Sequence, residues 1–268
     1  MSYSGSKLNR VVWLTPLVVF ALLSVAFLLY RHGHLPGSNG VAPSTGVTYD
    51  ARLAILRRGD PNLKEVALTI DDGPHPKYVP KILEVLRQDN VHATFFVVGQ
   101  KVQEHPEIVR EMLRDGNELG NHSMTHPRFI TLDAAGVRKE IAGCAAAVLK
   151  ATGQKMTLVR PPGLRYTDEI LRIDKEMNYV TVEENIAVGD YIVKGDYSWY
   201  PGSKEFPTHV ATIEHNVFKQ LKNGAIIVLH DMPVTAAALH DIIGGIRSRG
   251  YKIVTVSDML THLRSTPN

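Results

Sequence analysis

Asp71 and Asp72 end an apolar, β-branched run in the stretch ALTIDDGPHP (67–76), and Gly73-Pro74 follows at once. Two adjacent carboxylates repel, so a metal ion or a basic side chain is expected close by. Along a regular strand the pair would point to opposite faces, but a Gly-Pro turn directly after it can break that alternation. Both carboxylates can then face one pocket, one holding a metal and the other acting as general base. Further along, NHSMTH (121–126) sets His122 and His126 four residues apart, a spacing that on a helical turn brings both imidazoles to one side. Two His and one carboxylate, with positions left open for water and substrate, make a catalytic zinc arrangement. Each motif alone is weak, since DDGP also spells an ordinary β-turn and paired His often only share a helix face. Asn121-His122-Ser123 is formally a glycosylation acceptor, but the same residues serve better as a ligand turn.

Those residues need elements to bring them together. Short apolar runs predict strands at Val66–Ile70, Ala93–Val98, Glu118–Gly120, Thr157–Val159, Tyr179–Val182, Ala225–Leu229 and Lys252–Val254. Helical patterns lie between and after them, near 78–89, 102–115, 133–151, 167–177, 209–221, 235–249 and 257–264. Strands alternating with helices imply βα units, an α/β fold with a parallel sheet. About seven such strands suggest a barrel-like closure, although an open sheet meets the same alternation. In these folds working groups collect at the C-terminal ends of the strands. Asp71 and Asp72 end the first strand, His122 follows the third and Arg160 the fourth. Asp190 lies in the loop after the fifth, and His230 ends the sixth. Five separated polar signals thus map to one rim.

Composition removes several alternatives. The 268 residues are 44% hydrophobic and 21% charged, an ordinary globular balance that excludes wholesale disorder. Residues 1–49 hold no Asp or Glu, and Lys7, Arg10 and Arg31 account for the whole net charge of +3. The remainder is formally neutral, with no basic excess to mark a nucleic-acid partner. Cys144 is the only cysteine, which excludes an internal disulfide and a cysteine-based zinc site. Val11–Tyr30 is uncharged and long enough to span a bilayer, with Trp13 and Tyr30 near its ends. The expected order is a basic cytoplasmic tail (1–10), a transmembrane anchor (11–30), a Gly/Pro/Ser-rich linker (31–60) and a main domain (61–268). A cleaved signal peptide competes with the anchor, but no small-x-small site follows Tyr30 directly. The weak positive-inside bias places the main domain outside the cytoplasm.

TIDDGPHP, HSMTH, RPPG and IIVLHD, in this order and spacing, resemble the polysaccharide deacetylase family, family 4 of the carbohydrate esterases. The resemblance covers about Leu63 to Leu263. It implies a distorted (β/α) barrel with a divalent metal, usually zinc, at its rim (cobalt or another divalent ion being an alternative). The reaction implied is removal of N- or O-linked acetyl groups from polymers such as chitin, peptidoglycan and xylan. By the same resemblance Asp71 is the general base, and Asp72, His122 and His126 bind the metal. Arg160 pairs with the base, a nearby guanidinium favouring the carboxylate. His230 is the general acid and Asp190 orients it. The backbone N–H of Gly163 receives the oxyanion, while Tyr191 and Val228 wall the acetyl pocket. Tyr197, Trp199 and Tyr200, in an aromatic-rich segment at the rim, are candidates for stacking on sugar rings.

Three departures stand out. Ile70 replaces the usual Phe, Leu164 follows Gly163 where the family commonly has an aromatic before the glycine or a glycine pair, and AVGDY carries Ala187 and Tyr191 where an acidic residue and Trp are usual. A catalytically silent carbohydrate-binding protein on the same fold is the alternative, which loss of Asp71 or of a metal ligand would signal. Neither is lost. A phosphoesterase would call for a second metal cluster or a phosphate-gripping Gly loop, and the sequence has neither.

Overall fold

The computed structural model describes residues 48–191 and 196–265. The expected tail, the 11–30 anchor and the first part of the linker lie outside the described residues. Among the described residues, no helix is long and apolar enough to cross a membrane.

The strands are β1 (Tyr49–Asp50), β2 (Ile55–Leu56), β3 (Glu65–Gly73), β4 (Thr94–Val97), β5 (Glu118–Asn121), β6 (Leu158–Val159), β7 (Val180–Val182), β8 (Ile186–Ala187), β9 (Ala225–His230) and β10 (Lys252–Val254). They form one sheet in the order β1-β2-β7-β6-β5-β4-β3-β9-β8. Strand β10 pairs with the first half of β3 and β4 with its second half. All pairs are parallel except β1 with β2. The helices are α1 (Val79–Gln88), α2 (Gly99–Glu104), α3 (Pro106–Arg114), α4 (Ala134–Thr152), α5 (Asp168–Glu176), α6 (Phe206–Gln220), α7 (Pro233–Ser248) and α8 (Val256–Ser265).

All seven predicted strands are present, and three findings revise the picture. Residues 49–60, expected in the linker, fold into the sheet. Ile55 and Leu56 are fully buried and pair with β7, while Leu53, Arg57 and Asp60 are buried as well. The helix expected over 102–115 is two helices, because Pro106 has no N–H to continue the first and opens the second. The barrel does not close by hydrogen bonds among the described residues, since β1 and β8 are unpaired edges.

The sheet still curls. Leu56, Ala67, Phe96, Leu158, Val182 and Ile226, from six strands, meet in one inner cluster with Val256, Met259 and Leu260 of α8. The opposite face packs on the helices. Helix α1 contributes Val79, Ile82, Leu83 and Leu86 at i, i+3, i+4, i+7 spacing, each burial stabilising by roughly 1.5–3 kcal/mol. Truncating Leu83 to Ala would cost about 2–5 kcal/mol.

Period-2 alternation then decides the rim. Val66, Leu68 and Ile70 of β3 face the helices, while Ala67, Thr69 and Asp71 face inward. The Ile70 departure therefore packs on the helix side, away from the inner face that carries Asp71. On β9, Ile226, Val228 and His230 share the inner face by the same alternation, and Asp71 is in register with His230.

Candidate active site

The adjacent Asp pair is resolved by a bulge. Pairing of β3 with β4 shifts between Asp71 and Gly73, and Asp72 adopts φ +71°. The extra residue breaks the alternation, so Asp72 can turn toward the same rim as Asp71. A left-handed φ is uncommon for a residue other than Gly and costs about 1 kcal/mol or more, so the fold must hold it there.

His122 and His126 converge by a different route from the helical turn expected. The segment after β5 is a non-helical bend with Ser123 at φ +70° and His126 at φ +63°. Ser123 Oγ accepts the His126 N–H at 2.8 Å. Glu140 of α4 accepts the N–H groups of Met124 and Thr125 and the Thr125 hydroxyl, at 3.0, 2.8 and 2.9 Å. This bend, rather than helix periodicity, sets the two imidazole rings 5.0 Å apart.

Asp72 Oδ1 lies 3.3 Å from His122 Nε2 and 3.0 Å from His126 Nε2, and the three side chains form a group able to hold a metal ion. Donors about 2.0–2.2 Å from a tetrahedral Zn²⁺ stand roughly 3.3 Å apart, so the spacing fits. The tautomer fits too: His122 Nδ1–H donates to the Arg160 carbonyl at 2.7 Å, leaving the Nε2 lone pair for a ligand. Burial raises the Asp72 pKa, but hydrogen bonds from His122 and His126, with the charge of His122 and His230, outweigh it and hold the carboxyl well below the usual range.

Arg160 is fully buried and wholly committed. Its guanidinium donates to Asp71 Oδ1 and Thr69 Oγ1, both at 2.7 Å, and to the Val182 and Glu183 carbonyls at 3.2 and 3.3 Å. Its plane lies 4.2 Å over the Phe96 ring. Asp71 therefore has one oxygen anchored by a charge-assisted bond, while Oδ2 lies 3.9 Å from His122 Nε2.

Beside this group, His230 Nδ1–H donates to Asp190 Oδ1 at 2.7 Å and the His230 backbone N–H to Oδ2 at 2.6 Å. Thr235, in the first turn of α7, also donates to Oδ2 at 2.7 Å. Burial alone would lower the His230 pKa; the charge and hydrogen bond of Asp190, with Asp71 and Asp72, push it up to about 10.

Residues 58–182 match the family model for polysaccharide deacetylase. A peptidoglycan-N-acetylglucosamine deacetylase of Bacillus cereus is 34% identical over 206 residues, which cover 75% of this chain and 90% of that protein. The chain belongs to the polysaccharide deacetylase family. The peptidoglycan-N-acetylmuramic acid deacetylase PdaC of Bacillus subtilis is 38% identical over 201 residues, 75% of this chain but only 39% of that longer protein. Among solved structures, a family 4 carbohydrate esterase pseudoenzyme from Bacillus anthracis superposes with a TM-score of 0.69 at 28% identity, covering 78% of this chain and 69% of that one.

The other expected substrate-contacting residues lie on or after β6 and β9 or in the loop after β8. Gly163 sits in a one-turn 3-10 segment, Pro162–Leu164, with φ +68° and open space where a Cβ would stand, so its need for glycine is conformational. Leu164 follows at φ +51° with its N–H donated to Pro161 O at 2.9 Å. Val228 is buried on the inner face of β9, and the exposed Tyr191 packs edge-on to His230 with centroids 6.2 Å apart. Tyr197 and Tyr200 are exposed, but Trp199 is stacked face to face on His209 at 3.9 Å, so it is not a free platform.

Sequence reasoning missed the residues that hold the site together. Thr69, Phe96, Glu140 and Thr235 each support one of the polar groups above. The visible signal for Thr69 was its place two residues before Asp71, on the same strand face. Glu184 was also missed. Burial raises the pKa of its carboxyl, with Arg160 and His230 lowering it and Asp71 and Asp190 raising it.

Proposed function

We propose that this chain is a metal-dependent hydrolase that removes N-acetyl groups from the amino sugars of a polysaccharide such as peptidoglycan or a chitin-like polymer. The observation that carries this reading is the meeting of Asp72, His122 and His126 with the Arg160-anchored Asp71, beside the Asp190–His230 pair.

Asp72, His122 and His126 would hold the ion. Zinc suits two imidazoles and a carboxylate, and cobalt or another divalent ion fits the same donors. The ion, when bound, supplies Lewis acidity toward the acetyl carbonyl and the attacking water. Asp71 accepts the proton of that water, and Arg160 orients it through one oxygen. The Gly163 N–H stabilises the charge that develops on the carbonyl oxygen. His230, whose Nδ1 is committed to Asp190, donates the Nε2 proton to the sugar nitrogen as the C–N bond breaks, releasing acetate and a free amine. Val228 and Tyr191 bound the acetyl methyl, and Tyr197 and Tyr200 offer faces to neighbouring sugars.

Residues 11–30 serve as a membrane anchor in this reading, holding the domain at the outer face of the membrane. A catalytically silent binder on the same fold is disfavoured because Asp71, Asp72, His122 and His126 are all present and lie close together.

The test is acetate release from acetylated chito-oligosaccharides and from peptidoglycan, with and without chelator. Metal-dependent release with a free amine appearing on the sugar supports N-deacetylation. Release only from O-acetylated polymer, or from nothing, overturns it.

A further inference from the structure

A groove of about 300 Å³ is lined by Lys77, Tyr78, Lys81, Pro201, Phe206, Pro233, Ala236 and Ala237. Its volume is at the lower end of ligand sites, roughly 300–1,000 Å³. Two of its lining segments lead out of β3 and β9, the paired strands on which Asp71 is in register with His230. Lys77 comes five residues after Asp72, and Pro233 three after His230. On its far side Pro201 follows directly from the exposed Tyr200.

The lining has a specific chemistry. The prolines, Phe206 and the two alanines give flat apolar contacts of the kind that pack on the C–H faces of a sugar ring. Lys77 and Lys81 are both exposed, no acidic residue lines the groove, and neither lysine has a carboxylate within ion-pair distance among the described residues. Lys77 Nζ instead lies 5.5 Å over the Tyr78 ring, while the Lys77 backbone N–H donates to His75 Nδ1 at 3.1 Å. Two unpaired cations over an apolar floor favour a ligand with an apolar face and an anionic substituent, whereas a neutral polymer would leave both charges unused.

We propose that this groove is a subsite for the sugar next to the one deacetylated, and that it selects glycan strands bearing a carboxylate there over uncharged strands. The inference rests on the deacetylase reading and narrows its substrate class to carboxylated amino-sugar polymers.

The test compares two ligands that differ only in charge: a tetrasaccharide of alternating N-acetylamino sugars with free lactyl carboxylates, and its methyl ester. Both are titrated calorimetrically into the zinc-loaded protein, and acetate release is measured in parallel. The free acid is expected to bind about three- to tenfold more tightly at low ionic strength, the size of two solvent-exposed charge pairs. The difference should shrink as salt is raised. It should vanish in Lys77→Gln/Lys81→Gln and persist in Lys77→Arg/Lys81→Arg, which a purely structural role for the lysines would not produce. Equal affinity for acid and ester, or a preference untouched by the double Gln variant, overturns the proposal. Absence of acetate release from either ligand would instead count against the deacetylase reading, because the affinity comparison stands independently of turnover.

Discussion

The backbone carbonyl of Arg160 accepts the Nδ1–H of His122 at 2.7 Å, while the guanidinium of the same Arg160 donates to Asp71 at 2.7 Å. One residue therefore orients an imidazole of the proposed metal group with its main chain and the proposed base with its side chain. The two jobs separate under mutation, because a substitution keeps the carbonyl and removes the guanidinium.

Arg160→Ala is expected to leave zinc stoichiometry near that of the parent while lowering kcat by at least about 100-fold, since Asp71 loses its anchor. Stability should also fall, by about 3–5 kcal/mol, because a buried carboxylate is left without its cation. Metal analysis, steady-state kinetics and a denaturant melt on one preparation read all three. Loss of zinc together with activity would show that the guanidinium, not the carbonyl, holds the metal group.

The Asp190–His230 pair sets the alkaline side of the pH profile. His230 must be protonated to donate to the leaving nitrogen, and Asp190 is what raises its pKa toward about 10. Removing that charge lowers the folded-state pKa, so the descending limb of kcat/KM in Asp190→Asn should move to lower pH. Profiles for the two proteins, each loaded with the same metal, compare like with like. An unmoved limb would mean that another group is the acid.

Asp174, far from this chemistry, governs a different pH effect. It is buried in α5 with Oδ2 accepting from Thr181 at 2.7 Å and Oδ1 without a hydrogen-bond partner among the described residues, and burial pushes its pKa up to about 7. Between the usual carboxylate range and about pH 7 the folded chain holds a proton that the unfolded chain has released. Its contribution to stability therefore declines as pH rises through that window and levels off above it. Asp174→Asn should flatten this slope and gain on the order of 4 kcal/mol over the parent at pH 8 relative to pH 4, at roughly 1.4 kcal/mol for each unit of the rise. Melts at both pH values decide it; identical slopes would mean that Asp174 stays ionised when buried.

His126→Ala removes the more exposed of the two imidazoles while Asp72 and His122 remain. The variant should stay folded, with zinc affinity down by about 100-fold or more and a loss of the thermal shift that zinc gives the parent. Calorimetric zinc titration with parallel melts tests it. Undiminished zinc binding would place the ion elsewhere.

Seven of the strands were legible because their apolar runs alternate with helical patterns, and strand-end position alone brought Asp71, His122, Arg160, Asp190 and His230 to one rim. The two-residue strands β1, β2 and β8 were not legible, since they lie outside the strand–helix alternation that revealed the equally short β6. That is why Ile55 and Leu56 read as linker although both are fully buried. The His pair was found by spacing but for the wrong reason, as a bend fixed by Ser123 and Glu140 replaces the helical turn. Pro106 marked the break between α2 and α3 and was passed over. Thr69 and Thr235 gave no warning, because a strand threonine and a threonine in the first turn of a helix are ordinary choices until a buried Arg or Asp is seen against them.

The most direct measurement is acetate release from N-acetylated peptidoglycan fragments by zinc-loaded Asp71→Asn beside the zinc-loaded parent, with metal content determined on both. The expected result is full zinc occupancy in each and at least about a 100-fold loss of rate in the variant, the usual scale for removing a general base. A variant that keeps its zinc and hydrolyses within a few-fold of the parent would contradict the assignment of Asp71 as the base.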